Sequence, residues 1–283
     1  MKRMVRIVMV VALSSAGLVA CDDVAPPPPI DNTVVLSVRY GGGYGASASG
    51  PGSGPLAVVY GDGRVVWENQ VRTEIYPQPA WPTFSQMRIS SDGVAEVRRR
   101  ATAADLTTAR RWEGVRQCVT DLGATVFVFE GQRSTAVGVG IGSPCPGMSA
   151  AEIEALTQLA TLQTWISNAA TNLAPYVVEQ QRAMPFDRIA MHVTDLTAQS
   201  GAAPSTPRTR QWPNELAPLG SLPRDEIQPG DWCEIRAGVD LIPAWLLAVQ
   251  TTSDVVFLQA GTRYVVQFRP MVGGETACVS WRN

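Results

Sequence analysis

The sequence predicts an α+β fold, mainly antiparallel β-hairpins packed with a few helices, in two lobes joined by a helix and stapled by disulfides. Two hairpin signatures carry the β part: PLAVVYGDGRVVWE at 55–68 and ATVFVFEGQRSTAVGVGIG at 124–142, each an apolar-rich run turning at glycine. Helical spacing appears in separate stretches, without the regular strand–helix alternation of a parallel sheet. With 45% hydrophobic and 17% charged residues in 283, the chain can bury a sizeable core and is not compositionally disordered.

In chain order, residues 1–20 have a basic start (Lys2, Arg3, Arg6) and an apolar stretch ending in small residues, the pattern of a signal peptide. The apolar stretch is too short to span a bilayer comfortably as a permanent helix. Residues 21–33, CDDVAPPPPIDNT, read as a tether that its prolines stiffen to about 3.1 Å per residue. The N-terminal α+β lobe, 34–147, opens on a strand at Val34–Tyr40 followed by a flexible glycine-rich loop at 41–54. In the first hairpin Asp62-Gly63 is the favoured pair for a two-residue turn, which sets Tyr60 opposite Val65, Val59 opposite Val66 and Val58 opposite Trp67. Both faces carry apolar residues, so this hairpin is expected to be buried. Beyond a proline-punctuated loop at 75–82, Val94, Val97, Ala101 and Ala104 recur at helical spacing, with Arg98 to Arg100 on the solvated side. The second hairpin turns near Gly131 and is bracketed by Cys118 and Cys145.

Residues 148–185 form the linking helix: Ser149 and Glu152 have capping-box spacing. Ile153, Leu156, Leu159, Leu162 and Ile166 line one side, to about Leu173 before Pro175. The C-terminal α+β lobe, 186–283, is read as a strand at Asp187–Val193, a polar loop at 198–215 and a strand from Cys233. A short helix near Asp240–Val249, with Pro243 in its first turn, and a closing strand at Tyr264–Phe268 complete it.

The stretch Leu18-Val19-Ala20-Cys21 resembles the bacterial lipobox, whose cysteine is diacylglycerated, cut free of the leader and then acylated at its new amino terminus. The resemblance makes Cys21 the lipidation site and the bilayer its partner. It also resolves an odd count of five cysteines, which would leave one thiol over in an oxidising compartment. The remaining Cys118, Cys145, Cys233 and Cys278 admit three connectivities. Cys118–Cys145 with Cys233–Cys278 keeps each bridge inside one lobe, and each would contribute roughly 3.5–4 kcal/mol in the chain-entropy treatment. Zinc is the rival use, but no pair has C-x-x-C spacing and there is one histidine, so no metal or other cofactor is expected.

Without the leader's three basic residues, 20 remain against 25 acids, a formal charge of −5. That is the wrong sign for nucleic acid and gives no help at an anionic membrane, so acyl chains must carry the attachment. The only lysine is Lys2, which removes Ser-Lys dyads, Schiff-base enzymes and Walker loops from consideration in the mature chain. Gly43-Tyr-Gly45-Ala-Ser-Ala48 fits a dinucleotide-loop pattern, yet Gly and Pro persist to position 55 where a helix should begin. Gly138, Gly140 and Gly142 are better read as a strand end near a disulfide. His192, the one histidine, alternates with apolar neighbours in a strand and is read as packed or at an edge, with no G-x-S-x-G elbow to serve. Asp62, Asp92, Asp121 and Asp240 lie near glycines or helix starts, where aspartate serves turns and caps. The eight tryptophans could include sugar-stacking platforms, but they are scattered, and most are expected in cores or interfaces.

The order Tyr60-Gly-Asp62-Gly63-Arg64-Val65, Ile75-Tyr76-Pro77, Ser91-Asp92-Gly93, Trp212-Pro213, Cys233, Arg269-Pro270, Cys278 resembles an uncharacterised group of bacterial lipoproteins. The resemblance implies a shared fold and an extracytoplasmic location and brings no activity with it. The expected function is a membrane-anchored extracytoplasmic lipoprotein acting as a binding or protein-interaction module. Loops 41–54 and 198–215 are its exposed surfaces, and an envelope protein or glycan its partner. The alternative is an envelope hydrolase of glycan or peptidoglycan using two carboxylates, which requires two acids facing each other across a cleft. Asp22, directly after Cys21, resembles an enteric retention signal and favours the periplasmic face of the inner membrane in a Gram-negative cell, with the outer membrane as the other destination.

Overall fold

The computed structural model describes residues 31–43, 55–69, 77, 79–113, 122–137, 147–198 and 207–277. The leader, Cys21, most of the tether, Cys118, Cys145, Cys278, Asp121 and the glycine runs at 44–54 and 138–142 lie outside them.

Two sheets and a few helices make an α+β fold, as expected. The first sheet holds β1 (Val34–Gly43), β2 (Ala57–Tyr60), β3 (Arg64–Glu68), β4 (Phe84–Ile89), β5 (Arg111–Glu113), β6 (Leu122–Phe129), β7 (Gln132–Val137) and β8 (Val177–Ala183). Its order is β5-β7-β6-β1-β2-β3-β4-β8, antiparallel except for β5 beside β7. One face carries helices α1 (Ser91–Ala103) and α2 (Ala150–Ser167). Ser149 and Glu152 close the expected capping box, and Leu156, Leu159, Leu162, Trp165 and Ile166 are buried. The α2 apolar side packs into the same core as Leu36, Val59, Val97 and Phe127. The helix expected to join two lobes is therefore a layer of the first sheet, because an apolar stripe of that width needs a sheet to cover it. It also ends sooner than expected: the chain turns at Asn168 into the short α3 (Ala169–Asn172) before β8.

The second sheet holds β9 (Arg188–Asp195), β10 (Arg208–Gln211), β11 (Arg224–Gln228), β12 (Asp231–Ala237), β13 (Val255–Gln259) and β14 (Thr262–Pro270), in the order β10-β13-β14-β9-β12-β11. Helix α4 (Leu241–Val249) covers one face through Ala244, Leu247 and Ala248. Cys233 on β12 is 1% exposed and disulfide-bonded, its other half lying outside the described residues.

The first hairpin differs from its expected register. Val59 pairs with Val65, Val58 with Val66 and Ala57 with Trp67, one residue away from the sequence reading. The loop is three residues, Gly61 to Gly63, because Gly63 takes φ +84° and the Asp62 carboxylate accepts the Arg64 amide at 3.0 Å and its Nε at 2.8 Å. A β carbon on Gly63 would sit 2.2 Å from the Ile89 carbonyl oxygen, so the turn admits only glycine there. Both faces of the hairpin are buried, as expected: Val59, Val65 and Trp67 under the helices, Val58, Tyr60 and Val66 on the opposite side. The second hairpin turns through Glu130 and Gly131 at φ 45° and 84°, the expected place.

Candidate functional site

The face of the first sheet away from α1 and α2 forms the floor of the site. Strand pairing lines up Arg133, Val128, Ser37, Val58 and Val66 in one row across β7, β6, β1, β2 and β3. Ser37 thus has valines on both sides and no polar neighbour in its row. Two positions on, Arg39 points the same way, because side chains alternate along a strand. The segment after β14, Val272 to Glu275, closes over this floor. It is tied down by the Tyr60 hydroxyl, which donates to the Gly273 carbonyl at 2.7 Å, and by Asn32 and Arg64 packed where a Gly273 β carbon would lie. Arg64 stacks over the Tyr60 ring at 4.4 Å.

A charge network runs beneath that segment. Arg39 Nη2 donates to Glu275 Oε1 at 3.0 Å, and Arg269 Nη1 donates to Oε2 of the same carboxylate at 2.6 Å. The Val272 amide adds a third bond at 3.0 Å. Burial alone would raise the Glu275 pKa, but Arg269 and Arg39 outweigh it and hold the carboxyl below its usual range. Burial lowers the Arg39 pKa, with Glu275 acting against that. Nearby Glu68, on β3, has less help: burial pushes it up to about 7, with Arg269 only partly opposing.

Beside this network lies a cavity of about 180 Å³ lined by Ser37, Arg39, Tyr60, Arg133, Glu275 and valines 34, 58, 126, 128 and 272. Two of the residues lining it carry a buried polar group with no hydrogen-bond partner among the described residues: Arg39, at Nη1, and Ser37, at Oγ, the latter on a residue 5% exposed. Unmatched buried polar atoms are costly, and a native fold tolerates them where something else supplies the partner.

The sequence-predicted residues sit as follows. His192 is buried in β9 at the centre of the second sheet, and both its ring nitrogens are occupied, Nε2 by Asp231 and Nδ1 by Gln267 Oε1 at 3.3 Å. Neither nitrogen is free for a nucleophile. Asp62 holds its turn, Asp92 lies in the first turn of α1, and Asp240 pairs with Arg236 at 3.3 Å. Trp67, Trp165, Trp212 and Trp232 are in cores. Ser37, Arg39, Glu68 and Glu275 were not singled out from the sequence. The available signal was Arg39 in phase with Ser37 on a strand otherwise buried on both sides. Comparison with known families, characterised proteins and solved structures finds no match to this chain.

Among the described residues no three His, Cys, Asp or Glu side chains gather to hold a metal ion, and no helix is long and apolar enough to cross a membrane.

Proposed function

We propose that this chain is a lipid-anchored extracytoplasmic lipoprotein whose folded body is a binding module, with the cavity at the sheet junction as its binding site. The observation that carries the binding reading is the pair of unmatched groups, Ser37 Oγ and Arg39 Nη1, on residues that line a cavity together with five valines, Tyr60, Arg133 and Glu275. Catalysis needs a group free to accept or deliver a proton, and here the Glu275 oxygens are both engaged by arginines and the His192 nitrogens by neighbours. The anchoring reading rests on the leader and on Leu18 to Cys21. Cys118–Cys145 and Cys233–Cys278 belong to the same proposal, since export supplies the oxidising compartment. The periplasmic face of the inner membrane, with an envelope protein or glycan as partner, completes it.

Metabolic labelling with a palmitate analogue tests the anchor: wild type takes the label and Cys21→Ala does not, while equal labelling of both ends the lipoprotein reading. Cross-linking in intact envelopes tests the module, which should capture the same partner or ligand in repeated preparations.

One observation favours the hydrolase alternative: Glu68 is raised to about 7 while Glu275 is held low, the split an acid and its partner carboxylate need. Against it, Glu68 does not line the cavity and Glu275 has no free oxygen. Glycan or peptidoglycan hydrolysis by wild type that Glu68→Gln abolishes would restore it.

A further inference from the structure

We propose that the junction cavity binds a small organic monoanion, a carboxylate on a short aliphatic body, with Arg39 Nη1 and Ser37 Oγ donating to the carboxylate and the valine wall holding the chain. The inference rests on the binding reading above and assigns its ligand class.

Three features select this chemistry. The first is sign: the unmatched guanidinium nitrogen can only donate and carries positive charge, and the unmatched hydroxyl is able to donate, so an acceptor, preferably an anion, satisfies both. A monoanion meets the Arg39 guanidinium without adding a second charge that would need further donors.

The second feature is donor number. A carboxylate has two oxygens, and one guanidinium nitrogen with one hydroxyl can meet them. A phosphate dianion has more oxygens than these two groups can meet, and valines 34, 58, 126, 128 and 272 would strip water from the remainder.

The third is size. At about 180 Å³ the cavity is on the scale of an apolar cavity that holds benzene, which admits a ligand of roughly six to nine non-hydrogen atoms. A carboxylate with a four- to six-carbon chain fits that range; an oligosaccharide or a folded peptide does not.

The test uses the full acylated chain purified in detergent, titrated by calorimetry and thermal melting with straight-chain carboxylates of two to eight carbons. The matching amides and inorganic phosphate run beside them. Saturable binding that peaks at intermediate chain length, with amides at least tenfold weaker and phosphate weaker still, is the expected result. Ser37→Val, which fills its side of the cavity with methyl groups and leaves the ion pairs intact, should weaken the best carboxylate roughly tenfold without lowering the melting temperature. Arg39→Met should weaken it roughly a hundredfold. If Arg39→Met does not fold, Ser37→Val and the amide comparison decide. Equal binding of amides and carboxylates, undiminished carboxylate binding by Ser37→Val, or phosphate as the tightest ligand each overturns the proposal. A flat response to every carboxylate while envelope cross-linking still captures a partner sinks the ligand class alone. Loss of both sinks the binding reading with it.

Discussion

Two buried charge networks in this molecule use the same residue types in opposite proportions. At the sheet junction Arg39 and Arg269 share Glu275; in the second sheet Arg236 is shared by Glu234 and Asp240. The second network is enclosed at its central pair: Glu234 and Arg236 are both 0% exposed, Trp212 lies over the guanidinium at 6.0 Å, and the other Glu234 oxygen accepts the Gly220 amide at 3.0 Å, while Asp240 is 20% exposed at the margin. Arg236 also leaves its Nε unmatched, but packed side chains surround it. The first network borders space: Arg39 and Ser37, each with an unmatched polar group, line a cavity. Burial of charge is therefore not what separates a site from scaffolding. An unmatched group beside room for a ligand is.

The sharpest way to break this contrast is to remove the acid from each network. Glu234→Gln leaves Arg236 enclosed with only the longer Asp240 contact, a loss of about 3–5 kcal/mol. Glu275→Gln should cost less, about 2–3 kcal/mol, because the Arg39 side chain is 16% exposed where that of Arg236 is fully enclosed. Urea titrations of the two variants compare them directly. A larger loss for Glu275→Gln would mean that the junction network is the structural one.

The junction's two carboxylates should respond to pH in opposite senses. Glu68, raised to about 7 by burial, binds its proton in the folded state at pH values where the unfolded chain has released it. Stability should therefore fall as pH rises from about 4.5 through 7, by up to roughly 3 kcal/mol. Glu275 is lowered, so its contribution is present above the unfolded carboxylate value and disappears as pH falls through its folded one. Glu68→Gln should match wild type near pH 5 and exceed it at pH 8. Equal stability of the two proteins at pH 8 would remove Glu68 from the buried network.

How much of this was legible depended on whether neighbours in sequence or in space decided it. Ser149 with Glu152, the Val94 to Ala104 spacing and the Glu130-Gly131 turn are local, and each appeared where expected. The one-residue slip at Asp62-Gly63 came from a carboxylate that prefers the Arg64 amide to a tighter turn, a choice that propensity does not encode. Strands β8, β10 and β11 were missed because they read as polar: VVEQQRA, RTRQ and RDEIQ form edges of the two sheets, where apolar alternation is not required. The site itself joins Ser37 and Arg39 to Glu275 across more than two hundred residues, and no spacing rule spans that distance. Arg64 and Arg269, noticed only as parts of a resemblance, meet Tyr60 around the segment that covers it.

The smallest predicted effect is the most discriminating about the cavity, and it compares two serines of the same sheet. Ser134 is 0% exposed and satisfied, donating to the Thr108 carbonyl at 3.3 Å and accepting the Arg110 amide at 3.2 Å. Ser37 is 5% exposed and its hydroxyl has no partner among the described residues. Ser134→Ala removes a bonded hydroxyl and strands two backbone groups, so it should cost about 1–2 kcal/mol. Ser37→Ala removes a hydroxyl that has already lost its water, so stability should stay within about 0.5 kcal/mol of wild type or rise slightly. A serine whose loss leaves the fold unharmed at a buried position is one that the fold does not need. If Ser37→Ala destabilises as much as Ser134→Ala, the hydroxyl is bonded within the protein and the cavity loses one of its two donors.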